Sequence, residues 1–115
     1  MSDYKDLEVW SRSVDIVTDI YRLTTDFPES EKFGITNQMR RAAVSIPSNI
    51  AEGSARRHSK DFIHFLRIAD GSAAELETQL IISEKLHFAS ANQHLEDEIL
   101  IIRRMLAALI KSLGR

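Results

Sequence analysis

Residues 35 to 53 read ITNQMRRAAVSIPSNIAEG, and within them Ile35, Met39, Ala42, Ile46 and Ile50 recur at i, i+4, i+7, i+11 and i+15. That spacing lays one apolar stripe along a helix and does not alternate as a half-buried strand would. Pro47 interrupts the run. Its ring removes the hydrogen bond to the carbonyl of Ala43 and costs about 3 kcal/mol unless neighbours compensate, so a kink is predicted near Ser45 to Ser48. Those serines and Asn49 can bond the backbone groups that the ring frees. Gly53 and Ser54 weaken the helix before a polar connector around Arg56 to Ser59.

Upstream, residues 28 to 34 (PESEKFG) have the composition of a turn. Before them, helical spacing from Leu7 groups Leu7, Trp10, Val14, Val17 and Tyr21 on one side, with Val9, Ile16, Ile20, Leu23 and Phe27 further round. Glu8, Arg12, Asp15, Asp19, Arg22 and Asp26 occupy the narrow remaining arc. This first helix is expected over roughly residues 5 to 26. Its apolar arc spans roughly 200°, about twice the stripe a surface helix needs. Either it sits deep between two neighbours of its own chain, or part of the arc contacts another copy; Val9, Ile16 and Ile20 are the candidate contacts.

Downstream, a third helix is predicted from Ser59, a candidate cap, to near Phe88. Its stripe is Phe62, Phe65, Leu66, Ala69, Ala73, Leu76 and Leu80. The small residues Gly71 to Ala74 predict a close helix crossing there. Ser90 and Gln93 have capping-box spacing, and a fourth helix aligns Leu95, Ile99, Ile102, Leu106, Leu109 and Leu113 up to Gly114. Ile101, Met105 and Ala108 form a second apolar strip beside it, so Ile101 and Met105 join the candidate oligomer contacts. Four helices with short connections predict an all-α, antiparallel up-down-up-down four-helix bundle, one domain over residues 1 to 115.

Composition agrees. With 43% hydrophobic and 28% charged residues the chain has the means to fold around one core. Nothing approaches the ~20 uninterrupted apolar residues of a membrane span, and MSDYKDLEVW is acidic and polar where a secretory signal would be basic and then apolar. The absence of cysteine excludes a disulfide framework and thiolate zinc sites. A cytoplasmic, membrane-free protein is expected.

Chemical motifs are sparse. A di-iron bundle needs Glu-x-x-His pairs on two helices. Glu84 and His87 have the spacing and Asp61 and His64 imitate it, but both pairs fall on the same predicted helix. There is no G-x-S-x-G elbow around Ser72, no G-x-x-x-x-G-K-[ST] loop and no H-E-x-x-H. No metal, cofactor or catalytic residue is expected.

Charge is the remaining signal. The net charge of -2 conceals an asymmetry: residues 1 to 31 hold three basic against eight acidic side chains, whereas over residues 38 to 60 Arg40, Arg41, Arg56, Arg57 and Lys60 face only Glu52. Clustered arginines neutralise phosphates and stack on exposed RNA bases. The same residues can instead pair with acidic faces such as that of the first helix, within the chain or across copies.

The run from Gln38 to Gly53, QMRRAAVSIPSNIAEG, closely resembles the signature of the 23S rRNA intervening-sequence protein family, also called four-helix-bundle proteins. The likeness extends to Asp6-Leu7-Glu8-Val9-Trp10 and Phe27-Pro28, to Phe62 through Leu66, and to Gly71-Ser72 with Glu75-Leu76. Arg40, Arg41, Asn49, Glu52, Gly53 and Arg57 match its polar signature positions. The resemblance implies a four-helix protomer assembled into a homopentameric ring. It also implies a distant likeness to the accessory protein of diversity-generating retroelements, which binds nucleic acid and a reverse transcriptase. The expectation is a non-enzymatic homo-oligomer that contacts RNA, or a nucleic-acid-processing protein, through Arg40, Arg41, Arg56, Arg57 and Lys60. The alternative is a protein-interaction module that binds no nucleic acid.

Overall fold

The computed structural model describes residues 3 to 115. Four α-helices account for most of them: α1 (Glu8–Thr25), α2 (Ile35–Ser54), α3 (Ser59–Lys85) and α4 (Gln93–Leu113). Short 3-10 turns at Tyr4–Asp6 and Glu29–Glu31 precede α1 and α2. Among the described residues there is no strand.

Each helix touches two neighbours in the cyclic order α1, α2, α3, α4, with α2 packed most extensively on α3. Rising numbers on one helix meet falling numbers on the next. On α2 and α3, the Cβ position of Gly53 faces Phe62 and Phe65 while Ser45 Oγ meets Ser72 Oγ at 2.8 Å. On α3 and α4, Arg103 reaches Asp70 while the Asn92 amide reaches Glu84. The body measures 44 × 23 × 19 Å. Its long axis matches the roughly 40 Å expected of a helix as long as α3.

The core runs the length of the bundle. Ile16, Ile20, Met39, Ile46, Ile50, Leu66, Leu76, Leu80, Leu95, Ile99, Ile102 and Leu106 are its fully buried large side chains. Buried Ser13, Thr24 and Ser83 return their hydroxyls to backbone carbonyls three or four residues earlier. This satisfies each hydroxyl donor within its own helix.

Val9, Ile16 and Ile20 are spent inside this core, at 4%, 1% and 0% exposure, so they offer no surface to another copy. Two neighbours, α2 and α4, close over that half of the α1 arc. The outer half consists of half-buried Trp10, Val14 and Val17 and exposed Tyr21. On α4, Ile101 is half-buried and Met105 packs against the core.

Several local expectations move. α2 and α3 approach closely at Ser72 and Ala73, within the expected stretch, where Ser72 meets Ser45 at 2.8 Å and Ala73 is fully buried, and again at Gly53, where an added Cβ would lie 2.7 Å from Phe65 Cβ and 2.9 Å from Phe62 Cδ1. Gly71 is exposed, with open space at the same position. His58, not Ser59, is the N-cap of α3, and its side chain makes no capping bond. Asn92, not Ser90, caps α4: its Oδ1 accepts from Leu95 N at 3.1 Å, while Gln93 bonds Asp97.

α3 stops at Lys85, before Phe88, because His87 adopts φ 62°. There Phe88 N donates to Ser83 O at 2.9 Å and His87 N to Glu84 O at 3.1 Å, the paired bonds of a Schellman cap. α2 stays helical through the buried Pro47 to Ser54.

Candidate nucleic-acid interface

The five basic residues of the α2 region do not form one patch. From Arg40 to the end of α2 at Ser54 the helix rises roughly 20 Å, so what is contiguous in sequence becomes two surfaces.

The first surface lies where α2 crosses α1. Arg40 donates from Nε to Thr24 Oγ1 at 2.8 Å and from Nη2 to Tyr21 O at 3.4 Å. Its guanidinium carbon sits 4.5 Å from the centroid of the Tyr21 ring, a cation-π contact. Arg40 thus faces α1 as the pairing alternative required, but its partners there are neutral. Arg41, one position on, points to solvent and makes no ion pair among the described residues. The two arginines line a cleft of about 490 Å³ with Tyr21, Asn37, Val44 and Ser45.

The second surface is at the opposite end of α2. Arg56 pairs with Glu52 at 2.7 Å and lies over the Phe65 ring at 4.8 Å. Arg57 and Lys60 are exposed and unpaired among the described residues. A cleft of about 250 Å³ here is lined by Arg56, Arg57 and His58 together with Asp3, Tyr4 and Phe62. Asp3 places a carboxylate in that lining.

Of the other signature residues, Asn49 donates from Nδ2 to Ser45 O at 2.8 Å and to Ser45 Oγ at 2.9 Å. Ser45 Oγ then meets Ser72, so the polar chain in the Pro47 turn ties α2 to α3. Glu52 serves Arg56, and Gly53 provides the room for Phe62 and Phe65.

Elsewhere two arginines find carboxylates. Arg12 contacts Glu8 at 3.2 Å and both Glu98 oxygens at 3.0 Å, joining α1 to α4. Its hydrogen bond to Glu8 and the charge of Glu98 raise its pKa above the ordinary value. Arg103 contacts Asp70 at 2.8 Å and Glu77 at 3.5 Å. The hydrogen bond to Asp70 outweighs partial burial and raises its pKa too. Both guanidiniums stay charged at every ordinary pH.

The candidate metal pairs serve other ends. Glu84 Oε2 accepts the Asn92 amide at 3.3 Å, His87 is the left-handed cap of α3, and Asp61 and His64 are exposed. Among the described residues no three groups of metal-binding type come together.

Asn37 and Val44 belong to the first surface without having been singled out from sequence, and Tyr21 was read there only as part of an apolar face. The signal was available: a connection centred near residue 30 folds α1 back on α2 and sets Tyr21 opposite residues near Arg40.

A family model described as 23S rRNA-intervening sequence protein matches residues 5 to 108. Among solved structures, the chain is similar to the crystal structure of a protein with unknown function from the S23 ribosomal protein family of Bacteroides thetaiotaomicron. The TM-score is 0.80 at 25% identity, covering 90% of this chain and 98% of that one. No curated protein matches. Among the described residues, no helix is long and apolar enough to cross a membrane.

Proposed function

This chain belongs to the 23S rRNA-intervening sequence protein family, and from that premise we propose that it is a non-enzymatic, self-associating adaptor that contacts RNA through the arginines of the α2 region. The observation that carries the RNA reading is a local excess of cations. Over residues 38 to 60 Glu52 is the only carboxylate and it is taken by Arg56, so Arg41, Arg57 and Lys60 are left without one among the described residues. Cations left unpaired in this way are available for phosphate. The family's own description points to an RNA setting.

Self-association is supported by aliphatic surface on α3 and α4. Ile68, Ile82 and Leu86 share one stripe of α3 and are 40%, 42% and 54% exposed, with Ile81 and Leu100 at 41% each. Ile82 and Leu86, one turn apart near the end of α3, are the adjacent pair among them, and adjoining exposed aliphatics mark a contact surface. We assign the assembly the pentameric stoichiometry that the sequence resemblance implies and a cytoplasmic setting.

Filter binding against salt tests the RNA contact. Affinity for RNA falls steeply as salt rises, and Arg41→Glu combined with Arg57→Glu abolishes it. Undetectable binding at low salt, or binding unchanged in the double variant, overturns the reading. A ring in light scattering that carries no nucleic acid then leaves a protein-interaction module, which the α3 surface favours.

A further inference from the structure

We infer that the cleft between α1 and α2, centred on Tyr21 and Arg40, is a pocket for an unpaired nucleobase of single-stranded RNA, with Arg41 holding an adjacent phosphate. The inference rests on the RNA reading above and sharpens it to one site and one class of strand.

Three features of the cleft carry it. First, Arg40 is fixed before any ligand arrives. Thr24 Oγ1 and the Tyr21 carbonyl hold its Nε and Nη2, and the Tyr21 ring lies against it. Of the five N–H donors of a guanidinium, the two on Nη1 have no partner among the described residues. A planar cation already immobilised loses little conformational entropy when it binds a base carbonyl or a phosphate.

Second, Tyr21 is 43% exposed although it bears an aromatic ring beside an arginine. A tyrosine and a guanidinium in contact form a flat surface on which a base can stack, and stacking of this kind contributes about 1–3 kcal/mol per base. Exposed Asn37 lines the same cleft and offers both a donor and an acceptor to a base edge.

Third, the lining contains no carboxylate. The cleft at the other end of α2 differs in charge: Asp3 lines it and Glu52 neutralises Arg56. An acidic peptide would use the arginines of the first cleft but not its aromatic face. A duplex would present phosphate while keeping its bases stacked on one another. At about 490 Å³ the cleft is within the size range of small-molecule sites, roughly 300–1,000 Å³.

Fluorescence anisotropy on the full chain at low salt provides the test. The probes are a short labelled oligouridine, an abasic ribose-phosphate strand of equal length and an RNA duplex. The oligouridine binds about tenfold more tightly than the abasic strand. Tyr21→Leu removes that preference, lowering oligouridine affinity toward that of the abasic strand; Tyr21→Phe keeps it; Arg41→Gln weakens both strands alike. Circular dichroism confirms that each variant is folded.

Equal affinity for oligouridine and abasic strand, or a preference that survives Tyr21→Leu, overturns the nucleobase pocket while leaving RNA binding intact. Tighter binding of the duplex does the same. If no probe binds, the RNA reading falls together with the pocket. Displacement of oligouridine by polyglutamate at equal charge concentration marks an acidic-protein site and overturns both.

Discussion

Gly53 and Gly71 have the same side chain and opposite reasons for having it. At Gly53 the nearest obstacle to a Cβ is Phe65 Cβ at 2.7 Å, an atom fixed to the α3 backbone that no rotamer change can move. Alanine there must push α2 and α3 apart. The overpacking costs about 1–3 kcal/mol and exceeds the gain in helix propensity of at most about 1 kcal/mol. Gly53→Ala is therefore expected to lower the thermal midpoint. Gly71 has nothing within 4 Å, so Gly71→Ala receives only the propensity gain and is expected to stabilise by about 0.5–1 kcal/mol. Paired chemical-denaturation curves check both signs. If the two substitutions shift stability in the same direction, the close contact at Gly53 is not what holds that position small.

Among the elements, α3 shows how a helix can end without the usual residue. Leu86 closes it, and His87 takes the left-handed conformation that glycine adopts freely, while Phe88 folds back until its ring centroid lies 5.9 Å from that of Phe27. The bonds to Ser83 and Glu84 and this aromatic contact hold a conformation that costs a residue bearing a Cβ about 1–2 kcal/mol. His87→Gly is expected to raise stability by about 1 kcal/mol, read from denaturant unfolding, with helix content unchanged. Loss of stability would mean that the imidazole itself contributes to the cap. The Arg103 pairs on α3 and α4 act differently. A guanidinium whose pKa is raised on folding adds stability at all pH below its ordinary range and loses it only as pH rises through that range. With about a third of each side chain exposed, the contribution is under about 1 kcal/mol and falls with salt.

For the whole molecule, the question is which outer surface meets another copy. The half of α1 that reads as surplus in sequence lies in the core, and the uncovered aliphatics, apart from Val44 on α2, are on α3 and α4. Ile82→Lys with Leu86→Lys is expected to reduce the mass in light scattering to that of a smaller species while leaving the helical dichroism intact. Each added charge would otherwise be desolvated in the contact. An unchanged assembly mass would move the interface elsewhere, the half-buried outer strip of α1 being the next surface to vary. RNA affinity in this variant reports on the other proposal: two binding surfaces on different helix pairs predict that single-site affinity survives while avidity falls.

Helix number, helix faces and the composition of the core were legible in the sequence because they depend on a repeat of 3.6 residues that each segment carries by itself. Ile35, Met39, Ala42, Ile46 and Ile50 form a stripe whatever lies opposite. The unusual breadth of the apolar arc on α1 was equally readable, but both of its halves are apolar, and only the positions of α2 and α4 determined that Val9, Ile16 and Ile20 turn inward. Caps were uncertain because Ser90 and Asn92 are both competent and because His87 is not the glycine that signals a left-handed turn. The binding surface was the least legible. Adjacency of Arg40 to Arg57 in the chain suggested one cluster, whereas the rise of α2 divides it, and the partners that define each arginine come from far along the chain. Thr24 and Tyr21 hold Arg40, and Glu98 holds Arg12 from the other end of the sequence. Which cations are spent and which remain free is a property of contacts between helices, and no local pattern encodes it.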